Sequence, residues 1–136
     1  MLTGSCLCGA VAWEADAPAR PIAFCNCRTC RKASGTAFAA NMAVPRTSFR
    51  WVHGEDALRS YESSPGKVRR FCGRCGSPVT AERPGDLAAD VRVRMGSFDT
   101  PVEEPRFVGH IWRSEAANWF DPKRPLPEWA EFPPPR

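Results

Sequence analysis

Seven cysteines fall into three short groups in this 136-residue chain: Cys6-Leu7-Cys8, Cys25-Asn26-Cys27-Arg28-Thr29-Cys30 and Cys72-Gly73-Arg74-Cys75. An odd number argues against a disulfide framework, and sulfurs one or two residues apart are poorly placed to bridge each other. Metal ligation accounts for the spacing better. It also constrains the fold, because groups distant in sequence must meet around an ion.

The first and third groups form one candidate site, Cys6, Cys8, Cys72 and Cys75. Each pair sits in a tight turn followed by glycine, Gly9 or Gly76, and four thiolates make a closed structural zinc site. With zinc–sulfur bonds of about 2.3 Å, tetrahedral ligands lie roughly 3.8 Å apart, closer than residues i and i+2 of an extended strand, so the chain must bend there. One ion would then staple the N-terminal strand to the middle of the chain, and its binding energy becomes folding energy. The alternative is a set of unligated thiols or a redox pair at Cys72 and Cys75. A redox CxxC belongs at a strand-to-helix junction, whereas Ser77-Pro78-Val79 continues as a turn and strand.

The middle group offers three ligands, Cys25, Cys27 and Cys30. Three protein ligands leave a fourth tetrahedral position for water or substrate, the arrangement that separates catalytic from structural zinc. Three thiolates on a divalent ion leave a formal charge of about −1, which blunts it as an acid toward water and favours exchange with a substrate thiol. Arg28, Arg31 and Lys32 stand beside the cluster and would attract an acidic thiol. Two alternatives remain open: a further residue, His53 or His110, completes a second structural site, or one metal is shared among all seven cysteines.

A chain of this length suits one domain. Alternating and β-branched or aromatic runs predict strands near Ala10 to Glu14, Ile22 to Phe24, Phe38 to Ala43, Phe49 to His53, Val68 to Phe71, Val79 to Glu82, Val91 to Met95 and Phe107 to Trp112. Two short helices are predicted, Thr29 to Ser34 and Ser114 to Phe120. The result is a mainly β protein of several small antiparallel sheets, without internal repeats. From Pro122 onward the chain is proline-rich and can build neither a helix nor a central strand, so the domain is expected over 1–121 and a loosely packed tail over 122–136.

No run approaches the roughly 20 apolar residues of a membrane helix, and the first residues carry no secretory pattern, so a cytoplasmic protein is expected. Net charge is +4 with the basic residues scattered, and a nucleic-acid partner is not expected.

In order, Gly4-Ser5-Cys6-Leu7-Cys8-Gly9-Ala10-Val11, Cys25-Asn26-Cys27-Arg28-Thr29-Cys30-Arg31-Lys32, Phe71-Cys72-Gly73-Arg74-Cys75-Gly76-Ser77, Gly96-Ser97-Phe98-Asp99 and His110-Ile111-Trp112 span most of the chain. This set resembles the glutathione-dependent formaldehyde-activating enzyme family, which includes the centromere protein V group. The resemblance implies a β-tent fold of coiled antiparallel sheets with two zinc ions per chain. One is structural, on Cys6, Cys8, Cys72 and Cys75, and one labile or catalytic, on Cys25, Cys27 and Cys30. It implies carbon–sulfur lyase chemistry, the joining of formaldehyde to glutathione as S-(hydroxymethyl)glutathione, with Arg28, Arg31, Lys32 or Arg113 as candidate holders of the glutathione carboxylates. Asn26 stands where family members often carry histidine. Two other classes compete with the enzyme: a non-catalytic zinc-stabilised binding module, and a thiol-based metal or redox sensor.

Overall fold

The computed structural model describes residues 1–16, 20, 23–103 and 107–135. Its strands are β1 (Leu2–Ser5), β2 (Ala12–Ala15), β3 (Phe24–Cys25), β4 (Asn41–Pro45), β5 (Phe49–His53), β6 (Leu58–Ser64), β7 (Lys67–Cys72), β8 (Pro78–Glu82), β9 (Asp90–Arg94) and β10 (His110–Ile111). The α-helix α1 (Arg28–Ser34) lies between β3 and β4. The chain is mainly β, in three sheets ordered β1-β2-β5, β4-β9-β8-β7-β6 and β10-β3. The first two are antiparallel, as expected, while β10 pairs with β3 in parallel across a long stretch of chain. Among the described residues, no helix is long and apolar enough to cross a membrane.

Period-two alternation explains how the five-stranded sheet is used. β9 reads Asp90-Val91-Arg92-Val93-Arg94; Val91 and Val93 are fully buried in the core, and Arg92 projects from the other face. The core joins both large sheets, with Trp13 and Ala15 of β2 packed among Val44, Val79, Val91 and Val93. Cys6 and Cys72 belong to the same cluster. Trp13 meets Phe98 edge-on at 4.9 Å between ring centroids, and its indole N–H donates to Ser97 Oγ at 3.1 Å, satisfying its one buried polar atom.

Several sequence expectations shift. Strands β1 and β6 carry no local strand pattern: β1 is built around Gly4, and the solvent-facing Arg59, Ser60, Tyr61 and Glu62 give β6 little apolar period. The segment predicted from Ala10 to Glu14 runs as Ala12–Ala15, that from Phe38 to Ala43 as Asn41–Pro45, and that from Phe107 to Trp112 shrinks to His110–Ile111. Of the strand predicted from Ile22 to Phe24, Ile22 lies outside the described residues. The helix predicted from Ser114 to Phe120 does not form; only a 3-10 turn, Arg113–Glu115, is present. Its side chains are committed elsewhere, Arg113 to Asn26 and Glu115 to the Arg28 N–H, and Ala117 alone is buried, so no apolar stripe exists to dock a helix. Pro122 to Pro135 forms neither helix nor strand and is exposed.

Gly4 is required for space. It pairs with Trp13 across β1 and β2, and a Cβ there would lie 2.3 Å from the Ser97 carbonyl oxygen and 2.4 Å from the Trp13 ring. Gly4→Ala is therefore expected to destabilise the protein by about 2–3 kcal/mol, as for other overpacked sites. The measurement is a urea midpoint at fixed metal content, and an unchanged midpoint would contradict this packing.

Candidate metal centre

The turn after β1 and the turn joining β7 to β8 face each other. In each, the N–H of the closing glycine bonds back to a cysteine carbonyl, Gly9 to Cys6 at 3.0 Å and Gly76 to Cys72 at 2.8 Å. Both glycines are left-handed, with φ of 77° and 78°, as such tight turns require. The Leu7 N–H donates to Ser77 Oγ at 3.0 Å, tying one turn to the other. The four sulfurs of Cys6, Cys8, Cys72 and Cys75 lie within 4.8 Å of one another, with Cys6–Cys8 at 3.7 Å and Cys8–Cys72 at 3.8 Å. Those two separations match the edge of a tetrahedron with metal–sulfur bonds of about 2.3 Å, so the donor set fits zinc.

Hydrogen bonds favour ionised sulfur here. The Val11 N–H donates to Cys6 Sγ at 3.3 Å and the Arg74 N–H to Cys72 Sγ at 3.4 Å. The Ser77 hydroxyl and backbone N–H draw the Cys75 thiol down to about 5. Against the lowering by the Ala10 N–H, burial and the neighbouring sulfurs push Cys8 up to about 11. The four cannot all lose their protons comfortably without a cation among them.

The second group comes from one short stretch. Cys25 ends β3, Cys27 caps α1, its Sγ accepting the Cys30 N–H at 3.3 Å, and Cys30 is buried in the first turn. Their sulfurs again lie within 4.8 Å of one another, a three-donor set that fits zinc with one position to spare. Burial pushes the Cys25 thiol up to about 12. Cys30 moves the other way: burial opposes ionisation, but Cys25 and Cys27, with Lys67 and Arg69 beyond them, draw it down.

The seven sulfurs thus form two separate groups, which removes the shared-metal alternative, and neither His53 nor His110 joins either group. His53 is exposed and meets the Ala10 carbonyl at 3.2 Å. His110 packs edge-on against Phe38, 5.1 Å between centroids, and faces the Asn26 amide at 3.1 Å. Asn26 is fully buried; its amide nitrogen also reaches the Phe24 and Ile111 carbonyls, each at 3.1 Å, and its oxygen accepts from Arg113 at 3.0 Å. Those bonds saturate the side chain and hold β3 to β10. Asn26 therefore positions the loop of the second group rather than offering a ligand.

A pocket of about 370 Å³ opens beside Cys25, Cys27 and Cys30. Its cations are Lys67, Arg69, Arg83 and Arg92, from the five-stranded sheet and the loop after β8, and Glu115, Ile111 and Trp112 stand among its other walls. Charges were expected instead from Arg28, Arg31, Lys32 and Arg113. The structure places Arg28 and Lys32 on an adjoining cavity of about 590 Å³ that Tyr61 and Arg69 also line, leaves Arg31 Nε buried without a partner, and spends Arg113 on Asn26. A signal for the true lining was present: Lys67-Val68-Arg69 and Val91-Arg92-Val93 both alternate charge with apolar residues. Trp112, exposed at the pocket wall, holds a left-handed backbone at φ 58°, a strained choice for a large residue.

A mainly β chain with a four-sulfur group at its core edge and a three-sulfur group in a pocket has two donor sets that could each hold a metal ion. Residues 1–115 match the glutathione-dependent formaldehyde-activating enzyme family, and the chain belongs to that family. A Halomonas elongata protein, provisionally named as a glutathione-dependent formaldehyde-activating enzyme, is 38% identical over 130 residues, covering 89% of this chain and 80% of that protein. A crystal structure of a Rhodobacter sphaeroides protein shares the fold with a TM-score of 0.60 at 23% identity, covering 77% of this chain and 98% of that one.

The two groups should respond differently to loss of one sulfur. Cys72→Ser, at a fully buried position, is expected to cost about 4 kcal/mol or more and to abolish the folded circular-dichroism signal near physiological temperature. Cys27→Ser should retain the fold and lose at most one metal per chain. Equal destabilisation by both would make the second group a structural site as well.

Proposed function

We propose that this protein is a zinc-dependent, carbon–sulfur lyase-like enzyme that makes or breaks the adduct of a thiol such as glutathione with a small aldehyde such as formaldehyde. The observation that carries the proposal is the contrast between the two groups: the first puts Cys6 and Cys72 into the core and only Cys6 on a cavity, one whose single cation among the described residues is Arg94, whereas all three cysteines of the second line a pocket of about 370 Å³ with four cations. Cys6, Cys8, Cys72 and Cys75 would hold a structural zinc, and Cys25, Cys27 and Cys30 a labile or catalytic one. The work is assigned to residues 1–121 and none of it to the tail, 122–136.

Cys25, Cys27 and Cys30 would hold the zinc, which would supply a Lewis-acidic centre able to keep a substrate sulfur ionised near neutral pH. The remaining tasks fall to the protein. The basic lining attracts and orients an acidic thiol, while Ile111 and Trp112 offer apolar surface at the wall. Condensation forms one carbon–sulfur bond and moves one proton from sulfur to the former carbonyl oxygen. Glu115 is the carboxylate among the described lining residues and is the candidate to carry that proton; the Arg28 N–H holds one of its oxygens at 3.1 Å.

Metal analysis together with thiol binding tests the proposal. Two zinc ions per chain are expected, and glutathione should bind the zinc-loaded protein but not Cys27→Ser. Carbon-13 formaldehyde should then show accelerated formation of the hydroxymethyl thioether signal. Two zinc ions with neither glutathione binding nor acceleration would favour the binding module, and zinc released reversibly by mild oxidation would favour the sensor.

A further inference from the structure

We propose that Arg69 and Arg92 form an oxyanion seat beside the three-cysteine group, receiving the carboxylate or phosphate of the molecule that enters the pocket. The strand register creates it. Arg69 of β7 pairs with Ala81 of β8, and Ala81 pairs with Arg92 of β9, so the three share one cross-strand row and one face. Two strand spacings set the arginine Cα atoms roughly 10 Å apart, with a buried alanine between them. Two long guanidinium side chains can converge over so small a residue and present donors to a single anion from both sides.

The seat's donors are not consumed by the protein. Arg69 is only 8% exposed; its Nε donates to Ser63 Oγ at 2.9 Å, and one terminal nitrogen is buried without a partner. Arg92 likewise has one buried, unpartnered terminal nitrogen. Burying charged donors without acceptors is costly, whereas a carboxylate or phosphate accepts from such forks with charge-assisted hydrogen bonds.

Nearby acidic groups are engaged elsewhere. Asp90, on the same strand as Arg92, pairs with Arg20, and Glu82 pairs with Arg46 and Arg70. The remaining carboxylate, Glu115, stands at the pocket wall with an oxygen on the Arg28 N–H. Among the described residues, no ion pair uses Lys67, Arg69, Arg83 or Arg92. Lys67 and Arg83 line the same pocket and add attraction for the approaching anion.

The seat deepens the proposed function, and only the identification of its occupant as a thiol rests on that reading. Calorimetry on the zinc-loaded full chain at low salt, with inorganic phosphate, succinate, glutathione and uncharged 2-mercaptoethanol as separate probes, decides the matter. Phosphate or succinate should bind saturably to the wild type and compete with glutathione, and whichever binds tighter identifies the headgroup class. Arg92→Gln should weaken that anion and glutathione about tenfold or more, leaving 2-mercaptoethanol unchanged, with fold and zinc content checked by circular dichroism and metal analysis.

Arg92→Lys keeps the charge without the fork and should fall between the two, giving a second reading if Arg92→Gln folds poorly. Absence of saturable binding by both anions, or full affinity in both Arg92 variants, would overturn the seat. Anion binding that depends on Arg92, with no binding of either thiol, would keep the seat and remove the thiol reading. Thiol binding that ignores Arg92 would do the reverse.

Discussion

The structure depends first on bringing four cysteine sulfurs within 4.8 Å of one another from two turns far apart in sequence. Two unit charges about 4 Å apart repel by roughly 4 kcal/mol at an effective dielectric of 20, so four ionised sulfurs would drive the turns apart without a cation between them. A divalent ion held among them would reverse that balance and tie the two turns together. The strands of both large sheets then pack around the anchored ends, since Cys6 and Cys72 share the core with Trp13, Val79 and Val93. The Leu7 to Ser77 hydrogen bond links the turns but is by itself a small term.

The second group inverts this design. Its three sulfurs come from a single stretch, so a metal there closes only a short loop and contributes little to long-range order. Order at that place comes from elsewhere, with the Asn26 amide binding β3 to β10 and the Cys27 cap setting the start of α1. A metal that is not required to build the fold can be open to exchange. The local construction of Cys25, Cys27 and Cys30 is therefore as informative as the missing fourth cysteine.

The two cysteine groupings were legible because thiol chemistry leaves few alternatives: thiol spacing, the odd count and the two following glycines all appear in the sequence. Strands with clean alternation were also legible, β5 at the expected bounds and β7, β8 and β9 nearly so. The failures share a physical cause. β1 and the segment after Trp112 are organised by long-range partners, Phe98 and Asp99 for the strand, and Asn26 and the Arg28 N–H for the segment that declines to be a helix. No local pattern reports such partners. The cationic lining failed for a related reason: the eye goes to Arg28, Arg31 and Lys32 beside the cysteines, while sheet register delivers Lys67, Arg69 and Arg92 from far along the chain.

Placing those cations on a sheet face has a cost that explains the division of labour. Arg69 and Arg94 are nearly removed from water, and each gives up solvation that one side-chain hydrogen bond, to Ser63 or Asn41, restores only in part. Burial lowers the proton affinity of the Arg94 guanidinium, and the nearby Arg69 charge adds to that effect, so the face itself resists carrying this much charge. A small β-domain has little stability to spend on such a feature. A metal held by the four cysteines, grouped where β7 ends at Cys72, would supply stability that is independent of the pocket face. The rule broken at the pocket is thus compensated at the core edge. β7 carries both, with Lys67 and Arg69 toward one end and Cys72 at the other.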